Sequence, residues 1–232
     1  MTTPITDSSA PAAPTATSAS SVAQPKAESF LDWFHVNSRL VTIGAITVLA
    51  VAFGVWFKQR MSINETLGAD RKLLAAKQSM NTGNIPLAES DLKKIVDQYA
   101  SKPSGVEAGL LLGQLRMEKG DYAAAVGGLR ELVGKLGSSA GSAEARSLLG
   151  DALAQSDKAA DAAAEYERAA SATSMVNARA FLTAKAARAY MTAGKPAEAR
   201  KLWETLAAQS DNEGLATEAR VRLGELAAGS KS

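Results

Sequence analysis

The chain carries a single histidine, His35, and no cysteine. Those two facts exclude most side-chain chemistry. A Ser-His-Asp set or a histidine-based metal site needs a histidine among suitable partners. His35 instead stands just before a long apolar run, where it reads as an interfacial polar residue. Without cysteine there is no disulfide, thiol nucleophile, thiolate zinc site or lipidated cysteine. Asp157, Asp161, Glu165 and Glu167 cluster around a helix start, but Lys158 and Arg168 are interleaved with them. That pattern is a solvated face favoured by the helix dipole rather than a cation site. Gly127-Gly128 lacks the strand–turn–helix setting of a phosphate loop and suits a close helix crossing or local looseness. Lys93-Lys94 reads as surface charge. No catalytic set, cofactor site or metal site emerges, so the chain is expected to be non-enzymatic.

A binding stripe is more promising. Met80, Met117 and Met191 stand at equal places in a repeat, and Leu73 and Leu110 precede the first two by seven residues. By helical angle this stripe points away from the face that holds Ala108, Leu112, Ala145 and Leu149. Flexible thioethers suit a surface that accepts varied apolar peptides, so these five residues form a candidate peptide groove. The competing reading is that they fill the core. No regular ladder of Lys and Asn accompanies them, so nothing points to a site for terminal carboxylates.

The repeat behind the stripe has a period of 37 residues. Stepping by 37 reaches Gly83, Gly120, Asp157 and Gly194; five residues after each comes Ala88, Ala125, Ala162 and Ala199. Four further on stand Leu92, Leu129, Tyr166 and Trp203, and then Ile95, Leu132, Ala169 and Leu206. Seven residues before each turn is a small residue: Ala76, Gly113, Gly150 and Ala187. Each unit is therefore expected to hold two helices joined by a tight turn. A small residue in the first helix and the alanine in the second allow close crossing. The large residue fills the space toward the next unit, and stacked units share one core. Pro86 and Pro196 sit near helix starts, as a missing N–H allows. The next step reaches Gly224 in Leu215–Ala227, whose Glu218, Arg220, Arg222 and Glu225 suit a polar capping helix. Residues 61–232 are thus expected to be four helix pairs and a cap. They carry 22 Lys and Arg against 21 Asp and Glu, without the basic stripe that nucleic-acid binding needs.

Leu40–Phe57 is a different kind of segment. Its 18 residues carry no charge and would form a helix roughly 27 Å long, near the thickness of a bilayer's hydrocarbon core. Trp33 and Trp56 would lie near the two interfaces. The run exceeds the apolar core of a cleaved signal peptide, and its Ala50-Val51-Ala52 falls inside the run rather than after it, so an uncleaved single-pass anchor is expected. Gly44, Thr47, Ala50 and Gly54 share one face, a candidate contact with another membrane helix; the alternative is that small residues are simply common in such helices. Lys26 and Arg39 lie on one side, Lys58 and Arg60 and then Arg71 and Lys72 on the other, a count that is balanced or slightly favours a cytoplasmic C-terminal domain and does not by itself settle orientation. Residues 1–28, rich in Ser, Pro, Ala and Thr, are expected to be a disordered tail, with residues 29–60 as the juxtamembrane and anchor segment.

The fixed register of turn glycines and small crossing residues resembles the tetratricopeptide repeat, though the usual unit is 34 residues and only Pro103 approaches its terminal proline. The fold class expected is all-α: one transmembrane helix, then a tetratricopeptide-like α-solenoid. The order of tail, W-F-H-V-N-S-R at 33–39, anchor ending V-W-F-K-Q-R at 55–60, and repeats also resembles the ancillary subunit of the bacterial SecYEG translocon. That resemblance implies a single-pass inner-membrane protein with a cytoplasmic N-terminus and a periplasmic repeat domain. The implied partners are the translocon, periplasmic chaperones or unfolded client chains, and membrane lipid. A structural scaffold of a membrane complex is the alternative.

Overall fold

The computed structural model describes residues 38–208 and 212–229, apart from the side chains of residues 38, 40, 41, 45, 59 and 61–64. The tail at 1–28 and Phe30, Leu31, Trp33, Phe34 and His35 lie outside the described residues. The chain divides into two units at Gln59/Arg60. The described residues form helices only: α1 (Ser38–Asn81), α2 (Ile85–Tyr99), α3 (Pro103–Glu118), α4 (Tyr122–Leu136), α5 (Ser142–Gln155), α6 (Ala159–Ala172), α7 (Val176–Thr192), α8 (Pro196–Ala208) and α9 (Glu213–Gly229).

The first helix differs from the expected one. It does not end near Phe57 but runs unbroken for 44 residues to Asn81. The reason is local. Lys58 to Leu67 contains no proline or glycine, and its Lys, Gln, Arg, Met and Glu favour the helix, so nothing stops propagation after the apolar run.

The four turns that join helices within a unit share one geometry. Gly83 and Gly120 have φ of +76°, Gly194 +68°, and Asp157 +59°. The residue after each donates its N–H back five residues: Asn84 to the Ser79 carbonyl, Asp121 to Arg116, Lys158 to Leu153 and Lys195 to Tyr190. A left-handed residue with this back-bond satisfies the last carbonyls of the first helix. Asn84 and Asp121 also cap the second helix, their side-chain oxygens accepting from the N–H of Leu87 and Ala124. The third turn has neither advantage: Asp157 bears a Cβ in the left-handed region, and Lys158 offers no side-chain cap. Replacing both, as Asp157→Gly with Lys158→Asp, is expected to raise stability by about 1–2 kcal/mol, read as a higher urea midpoint at unchanged slope.

Small residues fix the crossings. A Cβ on Gly113 would lie 2.8 Å from the Leu129 side chain, and one on Gly150 would lie 2.5 Å from the Tyr166 ring. Ala88, Ala125, Ala162 and Ala199 are buried, as are Leu92, Leu129, Tyr166 and Trp203 behind them. The core falls into three clusters. Leu73 and Ala76 of α1 join α2 and α3; residues from α4 to α7 form a second; Ala184, Ala187, Trp203 and Leu206 join Ala219 of α9 in a third. No unit closes its core alone.

Candidate functional site

A groove of about 410 Å³ opens between the first helices of three successive units. Leu110 of α3, Leu148 of α5, and Phe181 and Leu182 of α7 form its apolar wall. Met175, in the short connection before α7, also lines it, and both Met175 and Phe181 are exposed to solvent. The 37-residue period brings these side chains together. Each first helix repeats its orientation, so residues from α3, α5 and α7 that are far apart in sequence converge on one face.

One charged network borders the groove, and a second pair joins α6 to α7 away from it. Asp151, on its wall, accepts from Lys185 Nζ at 2.5 Å and from Tyr166 Oη at 2.6 Å. Lys185 also sits 4.9 Å over the Tyr166 ring and 5.7 Å from the Phe181 ring, so one cation ties α5, α6 and α7 together. Burial and the bond to Asp151 push the Tyr166 phenol well above its ordinary range. Tyr190 donates to Glu167, and that bond, with burial, raises its pKa to about 12. Both therefore act as neutral hydrogen-bond donors at neutral pH.

At the end of the array Arg188 grips Glu218 of α9 through two nitrogens, at 2.8 and 2.5 Å. The hydrogen bonds from Arg188 hold the Glu218 carboxyl below its ordinary 4.5. A carboxylate with a lowered folded-state pKa contributes stability that is present above the ordinary value and lost as pH falls through the lowered one. Thermal melts from pH 7 to 3 should show Glu218→Gln less stable than the native chain at pH 7, with the gap closing below about pH 4.

The structure scatters the methionine stripe. Leu73 is 6% exposed and belongs to the core between α1, α2 and α3, and Met80 packs half-buried against the same cluster. Met117 and Leu110 pack half-buried against the central cluster. Met191 is 36% exposed near the end of α7. Of the five, Leu110 lines the groove. The stripe falls largely on the seam between units, because the next first helix covers the face that helical angle alone leaves open. Leu148, Met175 and Phe181 carried a signal that sequence reasoning missed: Phe181 stands, by the 37-residue step, where Glu107 and Glu144 stand in earlier units.

Gly44, Thr47, Ala50 and Gly54 are all exposed along α1. An added Cβ on Gly44 or Gly54 would meet nothing within 4 Å, and Thr47 donates its hydroxyl to the Ile43 carbonyl at 2.8 Å. Asp157, Asp161, Glu165 and Glu167 do not converge on a cation; Glu165 pairs with Arg146 and Arg168. No group of side chains suited to a metal ion occurs among the described residues. Lys93 and Lys94 pair with Asp97 and Asp91 on the surface of α2.

Stacked helix pairs with a groove along their first helices define an α-solenoid of the protein-interaction type. Residues 64–186, more than half of the chain, match the tetratricopeptide repeat-like domain model, which also matches 32–141. Residues 184–232 match a tetratricopeptide repeat model. The chain belongs to the tetratricopeptide repeat-like domain family. A search of curated proteins finds no match. Among solved structures, it is similar to TPR-like repeats assigned to a kinesin light chain of Podosopora anserina, at 19% identity and a TM-score of 0.52, over 68% of this chain and 84% of that one. A single-substitution form of those repeats gives 20% and 0.51 over 68% and 84%. MamA gives 22% and 0.48 over 70% and 88%. The first two share the fold.

Taken over the described residues, no helix is long and apolar enough to cross a membrane. The side chains of Leu40, Val41 and Ala45, within the uncharged 18-residue run, lie outside the described residues.

Proposed function

We propose that this chain is a membrane-anchored, non-enzymatic protein-binding module that assists translocation or chaperoning of envelope proteins beside the Sec translocon. One observation carries the anchor. Ile43, Ile46, Val48, Leu49, Val51, Phe53, Val55, Trp56 and Phe57 are each between 51% and 69% exposed. These positions surround the helix axis, so the run is apolar on every side. A helix that is apolar all round and exposed at these positions calls for an apolar surrounding, and a bilayer supplies one. The uncharged run including Leu40, Val41 and Ala45 has the length to span it.

The mechanism is local concentration. The anchor keeps the groove of α3, α5 and α7 beside emerging chains, so useful occupancy needs only modest affinity. The resemblance to the SecYEG ancillary subunit orients the proposal: N-terminus in the cytoplasm, repeat domain in the periplasm. Protease added to spheroplasts should digest the repeat domain, which survives in intact cells; protection in spheroplasts would remove the secretion reading. The full chain purified from membranes should carry translocon subunits and substoichiometric unfolded envelope clients. A single stoichiometric complex that persists after the Phe181→Ser change would favour the scaffold reading instead, with the open Gly44–Gly54 face of α1 as its contact.

A further inference from the structure

The 37-residue period also runs through the charged residues of the first helices. Two positions matter. One holds Asp70, Glu107, Glu144, Phe181 and Glu218; the other, seven residues later, holds Lys77, Gln114, Asp151, Arg188 and Glu225. Where the second position is basic, it reaches the acid of the next unit, 30 residues on. Lys77 pairs with Glu107 at 2.5 Å, joining α1 to α3. Arg188 pairs with Glu218 in the same way, joining α7 to α9. The ladder fails in the middle. The residue that should reach Glu144 is Gln114, which carries no charge, and neither side chain makes a hydrogen bond or ion pair among the described residues. One unit further on, Asp151 and Phe181 occupy the two places, and Asp151 is already neutralised by Lys185.

Gln114, Glu144, Asp151 and Phe181, the four residues at the broken rungs, all line the groove. Its charge is therefore acidic, and the uncompensated part of it is Glu144. We propose that the groove binds a peptide segment of a partner protein in which a Lys or Arg is flanked by large apolar side chains. The ligand's cation replaces the missing rung at Glu144, and its apolar neighbours pack on Leu110, Leu148 and Phe181. Charge complementarity selects this occupant: a carboxylate among apolar walls favours a cation with an apolar stem and disfavours an acidic segment. This inference rests on the groove proposed above as the binding surface and adds what it selects.

The test uses the full chain in nanodiscs and three fluorescent decapeptides that differ at one central residue between leucines: lysine, norleucine or glutamate. Anisotropy titrations at low salt should show the lysine peptide binding about tenfold tighter than the norleucine peptide, with the glutamate peptide weakest. The lysine preference should vanish in Glu144→Gln. It should also vanish in Gln114→Lys, which restores the rung from within the chain and leaves the fold and apolar wall in place. In each variant the preference is read as the ratio of lysine to norleucine affinity, with both peptides titrated. Equal binding of all three peptides by the native chain overturns the inference and leaves the protein-binding groove standing. Binding of none of them removes the groove itself. Displacement of the lysine peptide by micromolar spermidine would show a site for a soluble cation and would also overturn the inference.

Discussion

Replacing Trp203 with alanine is expected to cost about 3–5 kcal/mol and to release the last two helices before the rest of the array unfolds. Trp203 is fully buried and is the largest side chain of the C-terminal cluster, where it joins Ala184 and Ala187 of α7 to Ala219 of α9. Each repeat draws its stability from its neighbours, so a void at the end of the array weakens one interface and not the whole. Hydrogen exchange should rise across α8 and α9 while α3 to α6 keep their protection. Trp203→Phe should lose much less, about 1 kcal/mol or under. The indole Nε1 is buried without a hydrogen-bond partner among the described residues, so the change also removes an unsatisfied donor. Leu92, Leu129 and Tyr166 show that the position accepts other large side chains. Global loss of protection from Trp203→Ala would contradict the modular picture.

Gly105→Ala is expected to destabilise the chain by about 1–3 kcal/mol, against the usual gain of replacing a helical glycine. The three residues Ala100–Lys102 bring the start of α3 directly beneath the end of α2. A Cβ on Gly105 would lie far closer to the Tyr99 carbonyl oxygen than van der Waals contact allows. That oxygen also accepts from the Lys102 N–H at 2.8 Å, so it cannot move aside without breaking the connection. Ser142 stands at the matching position after a longer connection, over residues 137–141. Gly127→Ala is the control. Gly127 is exposed within α4, an added Cβ there meets nothing within 4 Å, and the change should stabilise by about 0.5–1 kcal/mol. Urea midpoints of the two variants should move in opposite directions. A shared gain would mean that the α2–α3 contact is looser than its geometry.

The repeat was open to reading because each of its signals is local. A positive φ demands glycine or tolerates aspartate, a close crossing demands a small residue, and a buried site between helices demands a large one. Gly120, Gly150 and Leu129 therefore announce their roles without a partner in view. The continuation of α1 to Asn81 was open to the same reasoning, but the charges after Phe57 suggested a boundary that the backbone does not observe.

The groove was not open in this way. The angle of Met80 and Met117 around their helices follows from sequence, but which side the next unit covers does not. That depends on how successive pairs rotate as they stack, and this sent Leu73 into the core while leaving Leu148 half-buried on the groove wall and Phe181 exposed. The sequence by itself determined the register of four helix pairs, the identity of their turns and crossings, and an uncharged run of 18 residues. Only the tertiary structure decided which face of the first helices stays open, and that the ladder of Lys77–Glu107 and Arg188–Glu218 pairs breaks at Glu144. A charge pair between units needs both a complementary residue 30 positions away and a stacking rotation that brings the two within reach.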